Sequence, residues 1–277
     1  MKKIIIAGFI LAAGIDAAGA DEPPRRIVSY NLCADQLLLA LADPGQIAGL
    51  SPYAADASLS VMAAGAVKYP RLGWDTEYVI NLSPDLVLTG PTDRPTRAVL
   101  DASGLRVVQI DLVSDIAQAQ QQIRAVAALI GHSDRGEELV RQLQAAETRL
   151  AAAASSPART ASVIERGGYT EGSSSLVTAM LKIAGFRPPP DAPGGFGGYI
   201  SMETLLTNGP DILVLRDLPR DAGDQSALFI THPAVLARYP ADRRIELASR
   251  YSLCGGPALV QGLDVLRKAL ERLRPRL

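Results

Sequence analysis

The feature that most constrains this 277-residue chain is an internal repeat. Asp75-Thr76-Glu77 runs through Tyr78–Ser83 into Pro84-Asp85-Leu86-Val87-Leu88, and Ser201-Met202-Glu203 runs through Thr204–Gly209 into Pro210-Asp211-Ile212-Leu213-Val214. In both copies the glutamate stands seven residues before the proline. Each copy reads as a short helix with an acidic first turn, a proline that stops it, and a buried apolar strand. A carboxylate in a first turn is favoured by the helix dipole and by capping, so a single such glutamate is ordinary. Two in the same register place one acidic residue at an equivalent surface position on each of two similar halves.

The segments around the repeat fit that duplication. In the first half, Arg26–Tyr30, Ile47–Ser51, Leu86–Gly90 and Arg106–Ile110 read as strands, with helices at Ala34–Ala42 and Ile116–Ile130, the latter stopped by Gly131. In the second, Ala161–Glu165, Asp211–Leu215 and Ile245–Ala248 read as strands, with helices at Ser175–Ala184 and Ala258–Leu273. Strands alternating with helices argue for βα units and a parallel-leaning sheet in each half. Between the halves, Ser133–Ser155 is helical, with a narrow stripe of Leu139, Leu143 and Leu150, and Pro157 ends it. At 1.5 Å per residue it spans roughly 34 Å, enough to join two lobes, although a packed crossover helix has the same pattern. The expected organisation is α/β, with two Rossmann-like lobes at 21–132 and 158–277, a connecting helix at 133–157 and a ligand cleft between the lobes. Pro188–Gly198 is rich in Pro and Gly and reads as irregular, either a lid or a surface connection.

Composition excludes several classes. A formal net charge of -1 argues against a nucleic-acid footprint. Two histidines, His132 and His232, and two cysteines, Cys33 and Cys254, are too few for a zinc ribbon or a disulfide-dense scaffold. No P-loop occurs, and Gly194–Gly198 does not follow a strand as a dinucleotide loop must. An exported hydrolase-like enzyme is the alternative of another class, and no nucleophile signature supports it. Residues 1–20 combine Lys2 and Lys3, an apolar run from Ile4 to Ala13 and Ala18-Gly19-Ala20, the pattern of a signal peptide cleaved near Ala20. The expected location is the periplasm.

With Arg26–Leu41 (RIVSYNLCADQLLLAL), the doubled E-x6-PD motif, the helical connector and Leu181–Phe186 (LKIAGF), nearly the whole mature chain resembles the cobalamin and iron-complex substrate-binding proteins of ABC importers. The resemblance implies a monomer that captures a small-molecule metal chelate, cobalamin or another corrinoid favoured, with a ferric siderophore or haem as the alternative. It implies no resident cofactor and no catalysis. It also implies that Glu77 and Glu203 match the family's docking glutamates, which pair with arginines on the inner-membrane permease dimer served by its ATPase.

Ligands of open α/β sheets lie beyond the carboxyl ends of strands. There the chain offers Tyr30, Asn31, Cys33, Tyr53, Trp74, Tyr169, Glu171, Arg216, Tyr251 and Cys254 as candidate ligand-binding residues. Aromatics are only 5% of the chain, so their gathering at these ends suits a flat or partly apolar ligand. Glu171 and Arg216 suit ligand carboxylates, amides or phosphate. Cys33 and Cys254 leave three options open: a disulfide clamping the lobes, which needs Cα atoms within about 7 Å; thiolate contact with the ligand's metal; or two separate buried thiols.

Overall fold

The computed structural model describes residues 22–73, 76–91, 95–154, 157–217 and 224–273. The first lobe contains β1 (Ile27–Ser29), α1 (Leu32–Leu41), β2 (Ile47–Gly49), α2 (Ala63–Ala66), α3 (Thr76–Asn81), β3 (Leu86–Thr89), α4 (Pro95–Ala102), β4 (Val107–Gln109) and α5 (Ile116–Leu129). A long helix, α6 (Ser133–Ala153), leads to the second lobe. That lobe contains β5 (Ala161–Ile164), β6 (Tyr169–Glu171), α7 (Leu176–Ile183), β7 (Gly197–Tyr199), α8 (Met202–Asn208), β8 (Ile212–Leu215), α9 (Leu228–Thr231), α10 (Pro233–Arg238), β9 (Arg244–Glu246) and α11 (Pro257–Leu273).

Two separate sheets result. The first has the order β2-β1-β3-β4 and all its strands are parallel. The second has the order β7-β6-β5-β8-β9, with β5, β8 and β9 parallel and β6 antiparallel to both β5 and β7. Helices cover both faces of each sheet. That is why β3 and β8 are continuous apolar runs, buried at every position, rather than alternating ones.

The repeat is a register device. Asp85, one residue before β3, accepts hydrogen bonds from the backbone N–H groups of Arg25 at 2.6 Å and Arg26 at 3.0 Å, just before β1. Asp211, one residue before β8, accepts from the backbone N–H of Thr160 at 2.8 Å and from its hydroxyl at 2.9 Å, just before β5. The matching registers are Ile27 opposite Leu86 and Ala161 opposite Ile212. Each aspartate therefore ties the chain entering one parallel strand to the start of its neighbour. The Thr160 backbone N–H, ahead of the hydroxyl, also holds the Asp211 carboxyl below its ordinary range.

α6 both bridges the lobes and packs along its length. Leu139, Val140, Leu143, Ala146, Leu150 and Ala153 are buried on it, wedged between α5 and α11. At Gly136 the crossing with α5 is close: a Cβ there would lie 2.4 Å from that of Ala127. Arg124–Glu137 at 2.7 Å and Arg149–Asp264 at 3.0 Å flank the seam on either side. One apolar cluster runs from Leu37 and Leu38 of α1 through Ile123, Leu143 and Leu150 to Val163, Leu263 and Leu266, so the two sheets share an inner layer. Their outer faces have separate small cores, Val28, Val79, Val87 and Leu100 in one lobe and Leu205, Leu213, Ile230 and Tyr239 in the other.

One expectation is corrected. The end of the Pro/Gly segment is not irregular, because Gly197 and Gly198 belong to β7, paired with Glu171 and Thr170. Gly197 sits at φ +148, and a Cβ there would fall 2.4 Å from the Thr170 carbonyl oxygen. Only glycine fits so close to the neighbouring strand.

If the aspartate ties set register, Asp211→Ala should lower the urea midpoint by the equivalent of about 1 kcal/mol, the worth of an exposed backbone-tied hydrogen-bond pair. An unchanged midpoint would show that apolar pairing alone fixes the β5–β8 register.

Candidate functional site at the strand ends

The carboxyl ends of both sheets converge on common contacts. Cys33, at the start of α1 beyond β1, is disulfide-bonded to Cys254, in the segment between β9 and α11, with 5.1 Å between Cα atoms. The pairing removes the separate-thiol and thiolate–metal options, and Cys254 is 1% exposed. Beside the bridge, a Cβ on Gly255 would lie 2.8 Å from Val113, and one on Gly256 2.9 Å from Leu37, so the second lobe's chain lies flush against the first. Arg250 adds a polar tie, donating from Nη1 to the Ala57 carbonyl across the lobes at 3.0 Å and from Nη2 to the Tyr251 hydroxyl at 2.8 Å. Its guanidinium also lies over the Tyr251 ring, 4.8 Å from the centroid.

On the first lobe, Asn31 caps α1. Its side-chain oxygen accepts from the backbone N–H groups of Cys33 at 2.9 Å and Ala34 at 3.0 Å, so its local task is to start the helix. A Cβ on Gly90 would fall 2.4 Å from the Asn31 amide, which brings the β3 end against this cap. Tyr30 is half-buried and packs on the outer core. Tyr53 is 41% exposed on the loop after β2, and its backbone N–H donates to the Ser51 hydroxyl at 3.2 Å. Ser51 is fixed in turn by the fully buried Asp35 of α1, which accepts its backbone N–H at 3.1 Å and its hydroxyl proton. Burial raises the Asp35 carboxyl to about 6, against the lowering effect of these hydrogen bonds. Trp74 lies outside the described residues.

The second lobe has a matching clamp. Asp217, two residues after β8 and in the left-handed region at φ +51, accepts the backbone N–H of Ser249 at 3.0 Å and its hydroxyl proton. Next to it, Arg216 is only 4% exposed and pairs through Nη1 with Glu165 at 2.6 Å and with Glu171. Desolvation holds the Glu171 carboxyl above its ordinary range despite the guanidinium, and Glu165 beside it adds to the rise. Tyr169 opens β6; its hydroxyl donates to the Phe196 carbonyl at 3.3 Å and its ring meets Tyr199 edge-on at 5.5 Å. Desolvation first, then Glu171 and Glu165, keep its phenol above the usual value.

Of the sequence candidates, Tyr169, Glu171 and Arg216 thus form one cluster, and Cys33, Tyr251 and Cys254 another at the interlobe contact. The sequence reading missed Asp35, Ser51, Glu165, Asp217, Ser249, Arg250 and Tyr199, the last 82% exposed. Glu165 had a visible signal as the charged residue that closes the run read as a strand at Ala161–Glu165; β5 itself ends at Ile164. Neither histidine takes part. His132 faces the Gln46 side chain at 2.6 Å in the α5–α6 turn, and His232 caps α10 by accepting from the Ala234 N–H at 3.2 Å. Among the described residues, no three His, Cys, Asp or Glu side chains converge to hold a bare metal ion.

α3 and α8 run from the carboxyl ends of their sheets back to the Pro-Asp steps at the opposite edge. Glu77 and Glu203 stand in their first turns, both exposed, and so lie on the site's side of each lobe.

The architecture is thus two α/β lobes joined by one long helix and fastened to each other at their strand ends. The chain belongs to the periplasmic binding protein family, whose family model matches residues 27–241. The fold is shared with a periplasmic heme binding protein from Pseudomonas aeruginosa, at 22% identity over 89% of this chain and 92% of that one, with a TM-score of 0.71. It is shared with an ABC-type Fe3+-hydroxamate transport system protein from Saccharomonospora viridis, at 24% identity over 90% and 94%, TM-score 0.69. A periplasmic vitamin B12 binding protein of Vibrio cholerae is similar as well, at 16% identity over 91% and 98%, TM-score 0.68. No curated protein matches the chain in sequence.

Two outcomes follow from this geometry. Between pH 3.8, the ordinary Asp value, and about 6, the unfolded chain has released the Asp35 proton while the folded chain retains it. Stability contributed by this group is therefore full below that window and declines as pH rises through it, by up to about 3 kcal/mol. Asp35→Asn should remove that decline, so urea unfolding of the two proteins should diverge from pH 4 to 7; parallel curves would place Asp35 in water. The disulfide closes a loop with a sequence separation of 221. Replacing both cysteines by alanine should cost about 2–5 kcal/mol, and the parent treated with dithiothreitol should match the variant. A parent melting curve indifferent to dithiothreitol would deny the bridge that role.

Proposed function

We propose that this protein is the periplasmic substrate-binding component of an ABC importer, capturing a metal chelate between its lobes and delivering it to an inner-membrane permease through Glu77 and Glu203. The single observation that carries the reading is the duplicated acidic helix start. Exposed glutamates stand at the same step of the same motif in both lobes, on the side where the strand ends meet. A permease built from two like subunits is matched by a ligand carrier with two like lobes, each offering one negative group. Such rim charges orient the encounter and set register while adding little raw affinity.

The captured ligand belongs to the group that the structural relatives' names span: heme, an iron hydroxamate or a corrinoid. Exposed Tyr53 and Tyr199 and half-buried Tyr169 and Tyr251 supply aromatic surface for a flat ligand from both lobes. Shared inner packing, the disulfide and the Arg250 tie favour capture with modest lobe closure. Among the described residues no helix is long and apolar enough to cross a membrane; export would rest on residues 1–20, which lie outside the described residues.

The test is the double variant Glu77→Ala, Glu203→Ala. Uptake of the chelate by cells carrying the cognate permease should be abolished, while the affinity of the purified variant stays within twofold of the parent. A parallel loss of affinity would place the two glutamates in the pocket rather than at the permease.

A further inference from the structure

The charge balance at the second lobe's strand ends bears on which edge of a chelate fits there. Among the described residues of this rim, each arginine is already engaged. Arg216 is held between Glu165 and Glu171, Arg166 pairs with Asp224 at 2.7 Å, and Arg250 serves the Ala57 carbonyl and the Tyr251 hydroxyl. Within the central cluster the single guanidinium is the most deeply covered group: its side chain is 5% exposed, against 13% for Glu171 and 32% for Glu165. What the described residues of this rim offer an incoming molecule is thus carboxylate oxygen from Glu165, with the Tyr169 ring beside it, and not a free guanidinium.

We propose that this part of the site receives a chelate edge that donates N–H groups, as primary amides or an ammonium, and discriminates against edges that carry carboxylates. The inference rests on the reading that the protein captures a metal chelate, and it narrows which chelates qualify. An amide or ammonium hydrogen-bonds to Glu165 while the Arg216 pairs stay intact. A ligand carboxylate either meets Glu165 with like charge or displaces a glutamate from Arg216, leaving a poorly solvated charge without its partner. Of the carboxylates, amides or phosphate that the sequence-based expectation assigned to Glu171 and Arg216, this arrangement favours amides.

Two matched ligand pairs test this by isothermal titration of the mature protein. One pair is a corrin ring with an amide rim, dicyanocobinamide, against the same ring with a carboxylate rim, dicyanocobyrinic acid. The other is haemin bis-amide against haemin. The amide member of whichever pair binds should bind at least tenfold more tightly. The double variant Glu165→Gln, Glu171→Gln should bring that ratio close to one by strengthening the carboxylate member, and Glu165→Gln alone, which keeps the Arg216–Glu171 pair, should shift it at least threefold in the same direction. A parent that binds the carboxylate member equally or better would overturn the inference while leaving chelate capture standing, as would variants that weaken both members alike. Failure of all four ligands to bind would overturn the inference, since no amide-edged ring is then received, while binding of a ferric hydroxamate in the same titration would leave chelate capture standing.

Discussion

The structure depends on one shared apolar layer. α6 is not a free strut between lobes; it lies between α5 and α11, and its stripe of Leu139, Leu143 and Leu150 is buried with residues from both halves. Two sheets with strands only three or four residues long have little independent stability, and each completes its inner face only by sharing this helical layer. Moving one lobe against the other therefore means disturbing packing that behaves like a domain interior. The Cys33–Cys254 bridge and the Arg250 contact fasten the same relation at the strand ends.

Each lobe solves the same local problem by the same means. A short parallel strand entering a sheet needs its register fixed, and the aspartate of each Pro-Asp step supplies hydrogen bonds to the chain entering the neighbouring strand. A loop leaving the sheet needs its direction fixed, and a buried or half-buried aspartate holds both the N–H and the hydroxyl of a serine there, Asp35 on Ser51 and Asp217 on Ser249. These clamps place Tyr53 on one rim and Arg250 on the other. In each lobe the helix leading to the Pro-Asp step carries a glutamate in its first turn.

Much of this was legible in the amino-acid sequence, because the signals are local. Pro-Asp followed by an apolar run marks a buried strand, Gly131 marks a helix stop at φ +83, and Asn31 before an apolar run is a capping signal that would have moved the start of α1 from Ala34 to Leu32. The β6–β7 pair was not legible, since Tyr-Thr-Glu and Gly-Gly-Tyr are too short and too rich in glycine to show a two-residue period. Nor was the chemistry of the site. Arg216 finds its carboxylates 51 and 45 residues away, and the cysteines pair across a separation of 221, distances at which only the folded topology decides who meets whom. Residue type marked Arg216 as a group for ligand carboxylates, amides or phosphate; the fold pairs it with Glu165 and Glu171.

Hydrogen exchange with and without a bound chelate, cyanocobalamin or haemin as binding dictates, tests the central claim of a shared two-lobed site most directly. Capture between the lobes requires added protection at both sets of strand ends together, around 51–54 in one lobe and around 165–171 and 249–251 in the other, with the Pro-Asp edges at 84–85 and 210–211 unchanged. Protection confined to one lobe would contradict it.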